Sequence, residues 1–200
     1  MTAIGDPRLR SYDQLGLTGN PFVAESAPGV AEQVFTDVGL ALPSQGAVVE
    51  LVGCRGAGKT THLCRWIGTG DYHHVELAWS RRRPPPLPAA GGIVAWDEAD
   101  RLPRPVLAWR LSRARRRGGR VLLGTHQPTG LADQMLRLPP PTATAVRRFA
   151  ALRIQAATPS GAPVLPLPAA HAERIAAASG GCWWQVGTLL HQWVGQVGEA

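Results

Sequence analysis

The stretch "VVELVGCRGAGKTTHLCRW", residues 48–66, decides the fold of this 200-residue chain. It opens with a largely apolar run that is typical of a buried strand, and a glycine-rich turn follows. The spacing after the turn predicts a helix from about Gly58 to Ile67. The stretch also holds Lys59, the single lysine in a chain with twenty arginines. A strand, a loop and a helix in this order are therefore predicted to start the core.

The loop from Gly53 to Thr60 fits the pattern G-x-x-x-x-G-K-[ST]. Its glycines allow backbone N–H groups to surround a phosphate, while Lys59 reaches the β- and γ-phosphates and Thr60 offers a hydroxyl to Mg²⁺. A glycine-rich turn before an ordinary helix is the alternative, and the flanking strand and helix disfavour it. The loop thus predicts a site for a nucleoside triphosphate with Mg²⁺. Its predicted binding residues are Gly53, Cys54, Arg55, Gly56, Ala57, Gly58, Lys59, Thr60 and Thr61.

The segment "GIVAWDEAD", residues 92–100, places two carboxylates where an apolar strand ends. This is the Walker B arrangement, in which Asp97 holds Mg²⁺ together with Thr60, and Glu98 polarises the attacking water. An acidic pair is also a common helix cap. The interior strand and its place after the phosphate-binding loop favour the catalytic interpretation.

Another strand end, in "VLLGTHQPTG" at residues 121–130, carries two polar residues. We predict that Thr125 lies between the two Walker motifs and bonds the γ-phosphate or the attacking water. His126 is left as a hydrogen-bonding residue of the sheet end, and a plain strand-to-loop transition would explain both residues without a function. The predicted catalytic residues are Glu98, Lys59 and Thr125.

Strands that alternate with helices predict an α/β fold, a parallel P-loop sheet flanked by helices, with ligand chemistry at the carboxyl ends of the strands. The expected domains are an N-terminal arm at 1–30, a P-loop ATPase core at 31–148 and a small helical lid at 149–200. Further predicted elements are helices at 29–42, 104–116, 169–179 and 183–197, a strand at 73–79, and a short strand and a helix after Leu138.

Composition bounds the partners only loosely. A formal charge of +7 and a pI near 10.6 are typical of nucleic-acid binders, but the abundant Ala, Gly, Pro and Arg also fit a GC-rich coding bias. The basic runs at 80–83 and 113–120 are interpreted as solvated segments, and DNA is kept open as a partner.

Three cysteines without a C-x-x-C pair indicate neither zinc nor disulfides. No run reaches the ~20 apolar residues of a membrane span, so a soluble cytoplasmic protein is expected.

Taken together, these motifs resemble the AAA+ ATPase superfamily, and nearly the whole chain is similar to the branch of origin-recognition, secretion-associated and transposition-helper ATPases. The resemblance implies that Asn20, Pro21 and Phe22, in "GLTGNPF", lie near the adenine. Such proteins often carry an arginine at the start of the last helix, where this chain has Trp184, so slow hydrolysis is expected. The candidates for an arginine finger that reaches a neighbouring subunit's nucleotide are Arg137, Arg147 and Arg148.

Two enzyme classes are disfavoured. The letters "DEAD" at residues 97–100 suggest an RNA helicase, but the chain is too short for the two domains that such helicases need. A GTPase motif for guanine contains a lysine, and Lys59 is already used, which favours ATP. Three hypotheses remain: an ATPase that drives a change in a protein partner, a nucleic-acid complex or a second copy; a non-catalytic ATP-binding switch; and a DNA-binding regulatory module.

Overall fold

The chain forms two compact units. The computed structural model describes residues 12, 15–18, 20–22, 42–68, 70–75, 84–160 and 164–198. One unit, Asp37–Pro139, is called the sheet unit; the other combines Met1–Thr36 with Pro140–Ala200 and is called the helical unit. The helix predicted at 29–42 lies outside the described residues except for its last position.

The sheet unit is a five-stranded parallel sheet with helices packed on its faces. The strand order is β2-β3-β4-β1-β5, and every neighbouring pair is parallel. A short 3₁₀ helix, Ala99–Arg101, follows the third strand. The elements in chain order are β1 Val48–Val52, α1 Lys59–Ile67, β2 Asp71–His74, β3 Ile93–Asp97, α2 Arg104–Arg116, β4 Arg120–Thr125 and β5 Gln134–Arg137.

Successive residues along the strands point to opposite faces of the sheet and contribute alternately to two apolar layers. On β4, Val121 and Leu123 pack in one layer with Leu107 and Leu111 of α2, whereas Leu122 packs in the other layer with α1. A strand buried on both faces reads as a continuous apolar run, which explains why β1, β3 and β4 are recognisable from the sequence. The predicted fold class, a parallel α/β sheet flanked by helices with further helices at the C-terminal end, is confirmed.

Several predicted boundaries need correction. The second strand begins at Asp71, two residues before the predicted start, and the predicted part beyond Val75 lies outside the described residues. β5 was not predicted, and it precedes the position where a short strand was expected after Leu138. Its residues, QMLR, are mostly exposed and give no apolar signal, because β5 is an edge strand that pairs with β1 through the backbone.

The helical unit has its own apolar core. Its helices are α3 Ala143–Ala157, α4 Ala169–Ala178 and α5 Trp183–Gly198. Thr142 begins α3 by accepting a hydrogen bond from the Ala145 amide, and Gly180 and Gly181, both with positive φ, separate α4 from α5 as predicted. No helix among the described residues is long and apolar enough to cross a membrane. The two units divide at 36/37 and 139/140. The predicted boundaries of an arm, a core and a lid describe a different, three-part division and stay predictions.

Candidate active site

The loop between β1 and α1 has a backbone that requires glycine. Gly56 and Gly58 have φ of 76° and 92°, in the left-handed region that costs other residues energy. Gly58 is also the cap residue of α1, and no side chain caps that helix. A helix start without a side-chain cap leaves amide N–H groups for an anion. The loop therefore has the backbone that phosphate binding needs.

Lys59 lies folded against the loop. Its Nζ donates hydrogen bonds to the carbonyl oxygens of Gly53 at 2.8 Å and Cys54 at 2.9 Å, and the residue is only 6% exposed. Burial lowers the pKa of the Lys59 ammonium, and the negative charge of Asp97 opposes that shift. A Cβ on Gly53 would lie 2.9 Å from the Ala57 Cβ, so the backbone at Gly53 passes too close to Ala57 for a larger residue.

Asp97 joins the loop to the third strand. The residue is 1% exposed, and its Oδ2 accepts hydrogen bonds from Thr60 Oγ1 at 2.5 Å and from Tyr72 Oη at 2.8 Å. Oδ1 accepts from the Glu98 amide at 3.0 Å. Burial, followed by the charge of Asp97, raises the pKa of Tyr72, so this phenol remains a donor. The predicted metal ligands, Thr60 and Asp97, are thus brought together, and Tyr72 is a partner that the sequence did not indicate.

The backbone of β4 leaves room for this carboxylate at Gly124. A Cβ there would lie 2.5 Å from Asp97 Oδ1 and 2.8 Å from Leu63 Cδ1. Both distances are shorter than van der Waals contact, and the position is in the interior of the sheet. A larger residue at 124 would therefore displace either Asp97 or the packing of α1.

Glu98 follows Asp97 in an unusual conformation. It is the single described residue other than glycine with positive φ, at 57°. Its carboxylate forms an ion pair with Arg101, three residues later, and its Oε2 lies 3.8 Å from His74 Nε2. Strained backbone of this kind is concentrated at functional positions. The predicted water-polarising carboxylate thus directly follows the predicted metal ligand Asp97 and is already paired with Arg101.

Thr125 ends β4, which pairs with β1 on one side and with β3 on the other. Its hydroxyl donates to Glu50 Oε1 at 2.8 Å, and the Thr129 amide donates to the same oxygen at 2.8 Å. Glu50 is 1% exposed and was missed by the sequence analysis. A single carboxylate inside the apolar run of β1 was the signal that could have identified it.

His126, predicted as a hydrogen-bonding residue of the sheet end, contacts Asp100. Its amide donates to Asp100 Oδ2 at 3.0 Å, and its Nδ1 lies 3.3 Å from the same oxygen. Arg137, one candidate for the arginine finger, is exposed at the end of β5. The other two candidates, Arg147 and Arg148, are exposed on α3 of the helical unit. These positions leave the choice among the three open.

The residues expected near the adenine belong to the helical unit. Asn20 Oδ1 accepts from the Phe22 amide at 2.9 Å, and Asn20 Nδ2 lies 3.2 Å from His191 Nδ1. Phe22 is buried, with its ring centroid 6.4 Å from that of Phe149. Within their unit these residues order a turn and contribute to the core, and adenine contact stays a prediction for them and for Pro21. Trp184, at the expected place of a lid arginine, is 67% exposed.

The donor set fits Mg²⁺ rather than a softer metal. No group of three or more His, Cys, Asp or Glu side chains within the described ranges is arranged to hold a metal by itself. Thr60 and Asp97 supply oxygen atoms, and Mg²⁺ takes one or two protein oxygens and completes its shell with phosphate and water. The site therefore fits a metal that arrives with a phosphate ligand.

Comparisons with known proteins give matches among solved structures only. No protein-family model and no curated protein matches the chain. A mutant of RuvB from Thermotoga maritima is 20% identical with a TM-score of 0.49, over 73% of this chain and 54% of that one. PCH-2 from C. elegans is 12% identical with a TM-score of 0.42, over 86% and 67%. The chain thus spans about half the length of the RuvB structure, and the proposals below rest on the site geometry.

Proposed function

We propose that the chain binds Mg²⁺·ATP on the loop Gly53–Thr60 and hydrolyses it. The observation that carries this proposal is the 2.5 Å hydrogen bond between Thr60 and Asp97, which connects the phosphate-binding loop to the end of β3. Next to it lies the buried ammonium of Lys59. Burying a carboxylate and an ammonium costs several kcal/mol unless each is well paired. Here hydrogen bonds compensate both groups, and a buried lysine with a lowered pKa beside a buried carboxylate is more typical of a functional site than of a purely structural core.

In this proposal, some residues bind the phosphates and Mg²⁺, and others take part in hydrolysis. The loop amides and Lys59 bind the phosphates, and bound Mg²⁺, held by Thr60 and Asp97, supplies neutralisation of the phosphate oxygens. Glu98 accepts a proton from water as the water oxygen bonds to the γ-phosphorus. The bond from that phosphorus to the β-phosphate oxygen breaks, and ADP and phosphate are released. Thr125, which ends β4 beside β1, contacts the γ-phosphate or the water once its hydroxyl leaves Glu50.

The assignment to the AAA+ superfamily is part of this proposal. It is supported by the motifs and by β4, the additional strand that separates the Walker A strand from the Walker B strand. The finer parts of the proposal are adenine contact by residues 20–22, a finger from among the three candidate arginines, and transfer of the conformational change to a protein partner, a nucleic-acid complex or a second copy.

A second candidate is an ATP-binding switch that hydrolyses little or nothing. Two observations favour it: the ion pair between Glu98 and Arg101, which occupies the proposed base, and Trp184 where a lid arginine was expected. In this case ATP binding alone would change the conformation that a partner recognises. The two candidates share the nucleotide site and differ only in turnover.

The test compares wild type with Glu98→Gln, using Glu173→Gln as a matched control on the exposed side of α4. We expect wild type and the control to release phosphate from ATP at equal rates, and Glu98→Gln to bind ATP without turnover. Tight binding with wild-type turnover far below ~1 per second would favour the switch. Failure of wild type to bind ATP in the presence of Mg²⁺ would reject both candidates.

A further inference from the structure

Helix α2 presents a basic face with a tryptophan at its centre. Leu107, Leu111 and Ala114 are buried on the inner side of the helix, whereas Trp109 is 50% exposed. The sequence of the helix, RPVLAWRLSRARR, contains no acidic residue. We call the outward set the α2 outer face; it consists of Trp109, Arg110, Arg113, Arg116 and Arg117.

Two arginines of the α2 outer face lie close to the indole ring. The guanidinium carbons of Arg113 and Arg110 lie 5.1 Å and 5.8 Å from the centroid of Trp109. Burial, and then the charges of Arg113 and Arg117, lower the pKa of Arg110. The positive charges therefore lie near enough to repel one another, and a partner with negative charges would relieve that repulsion.

The neighbouring Arg115 shows how an arginine of this helix is used inside the protein. It donates to Asp133 Oδ1 at 3.0 Å and to the Leu131 carbonyl at 2.9 Å. Across the described part of the chain, Arg113, Arg116 and Arg117 form no such ion pair with a carboxylate. The charges of Arg113, Arg116 and Arg117 are thus available to an external anion, whereas Arg110 Nη2 already donates to the Pro84 carbonyl at 3.4 Å.

We propose that the α2 outer face binds single-stranded nucleic acid, with its arginines on the phosphates and Trp109 stacked on a base. Charge complementarity selects a polyanion, and the exposed indole selects a partner with aromatic faces. Unpaired bases offer such faces, whereas the bases of a duplex are stacked on one another. An acidic protein would satisfy the arginines and leave the ring without a stacking partner. The surface lies outside the phosphate-binding loop, and its test is independent of the proposed ATPase activity.

The experiment measures the anisotropy of a labelled single-stranded 20-mer with the full chain over a series of salt concentrations. We expect Trp109→Ala to weaken binding about tenfold without changing the salt dependence, and Trp109→Phe to restore most of it, because stacking contributes about 1–3 kcal/mol per base. We expect Arg113→Gln with Arg116→Gln to reduce the slope of log K against log salt by about 1.4, since each phosphate contact contributes about 0.7.

The charge-matched control is Arg147→Gln with Arg148→Gln, which removes two exposed charges from the helical unit. Its affinity should stay within about twofold of wild type if the α2 outer face is the binding surface. Polyphosphate competes in a parallel assay, and Trp109→Ala should leave its affinity unchanged. The proposal is overturned by absence of binding, by equal affinity for a duplex of the same sequence, or by equal losses from the two double variants.

Discussion

The sheet unit and the helical unit bury different kinds of residue. Among the described residues, Glu50, Lys59, His62, Asp97 and Thr125 are buried in the sheet unit, and Ser179 is the polar counterpart in the helical unit. The core of the helical unit is otherwise apolar and is built largely from α3, α4 and α5.

This difference suggests a functional site in the sheet unit and a mainly structural core in the helical unit. Buried polar groups are stable only where hydrogen bonds or charges compensate them, so a chain keeps several together where their chemistry is used. Asp97 and Thr125 end β3 and β4, and Lys59 begins the helix that follows the loop after β1, so three of these groups lie where ligands bind in parallel sheets. Substitutions in the sheet unit should therefore change binding and turnover first, and those in the helical core should change stability first.

The largest effect is expected from Leu190→Ala in the helical core. Leu190 is fully buried, so truncation should lower the free energy of unfolding by about 2–5 kcal/mol through lost burial and a cavity. Urea denaturation followed by circular dichroism measures it. Leu42→Ala is the control, because Leu42 is 55% exposed and should change stability by less than about 0.5 kcal/mol. Similar losses in the two variants would contradict the comparison.

Lys59→Arg comes next, and it should affect binding rather than stability. The net charge is unchanged, but the wide planar guanidinium does not fit where the ammonium lies between two loop carbonyls. We expect ATP affinity to fall at least about tenfold, consistent with 1.5–3 kcal/mol for a hydrogen bond to a charged group. Calorimetric titration with Mg²⁺·ATP measures the loss. Affinity within twofold of wild type would mean that the loop is misassigned.

Gly124→Ala tests whether space beside Asp97 is limiting. The added methyl group would overlap Asp97 and Leu63, so we expect a loss of about 1–3 kcal/mol in unfolding free energy, together with weaker Mg²⁺-dependent ATP binding. Gly195→Ala makes the same chemical change on α5, where no atom beyond the neighbouring helix backbone lies within 4 Å of the new Cβ. That control should keep or raise stability, because alanine favours helix. Equal changes in stability and ATP binding at the two positions would contradict the claim that the space beside Asp97 is limiting at Gly124.

The smallest effect is expected at Tyr12, whose side chain is buried in the helical unit together with its hydroxyl group. Burial raises the pKa of Tyr12 to about 12, and its hydroxyl bonds to His191. The unfolded chain releases this proton near pH 10, so wild-type stability should fall as the pH rises from 10 to 12. Tyr12→Phe should cost about 1 kcal/mol at pH 7 and show a flatter alkaline profile. Parallel profiles for the two proteins, measured by thermal unfolding, would contradict this reasoning.

The sequence predicted those elements whose residues carry a local physical requirement. Gly56 and Gly58 are needed for positive φ, and the apolar runs of β1, β3 and β4 are needed for strands that are covered on both faces. The helices α1 and α2 begin within one residue of the predicted positions. Local patterns of this kind need no knowledge of the partner strand.

The parts that depend on pairing across the sheet were not predicted. β5 pairs with β1 through backbone groups, which any sequence can offer. Tyr72 contacts Asp97 because β2 lies beside β3, and Glu50 contacts Thr125 because β1 lies beside β4. The ion pair of Glu98 with Arg101 occurs with a left-handed backbone at Glu98, which the residue type disfavours. The candidate site was thus located from the sequence, while its supporting contacts required the topology.

The position of Lys59 has a further consequence for the nucleotide binding that we propose. Its ammonium already donates to two loop carbonyls, so arrival of a phosphate is an exchange of partners rather than the filling of an empty donor. The heat released on binding should then be smaller than the number of new contacts suggests, because two bonds open as others form. We therefore expect a pattern among ligands with one, two or three phosphates. The first phosphate contact of Lys59 should add less affinity than later ones, because it replaces the hydrogen bonds to the loop carbonyls.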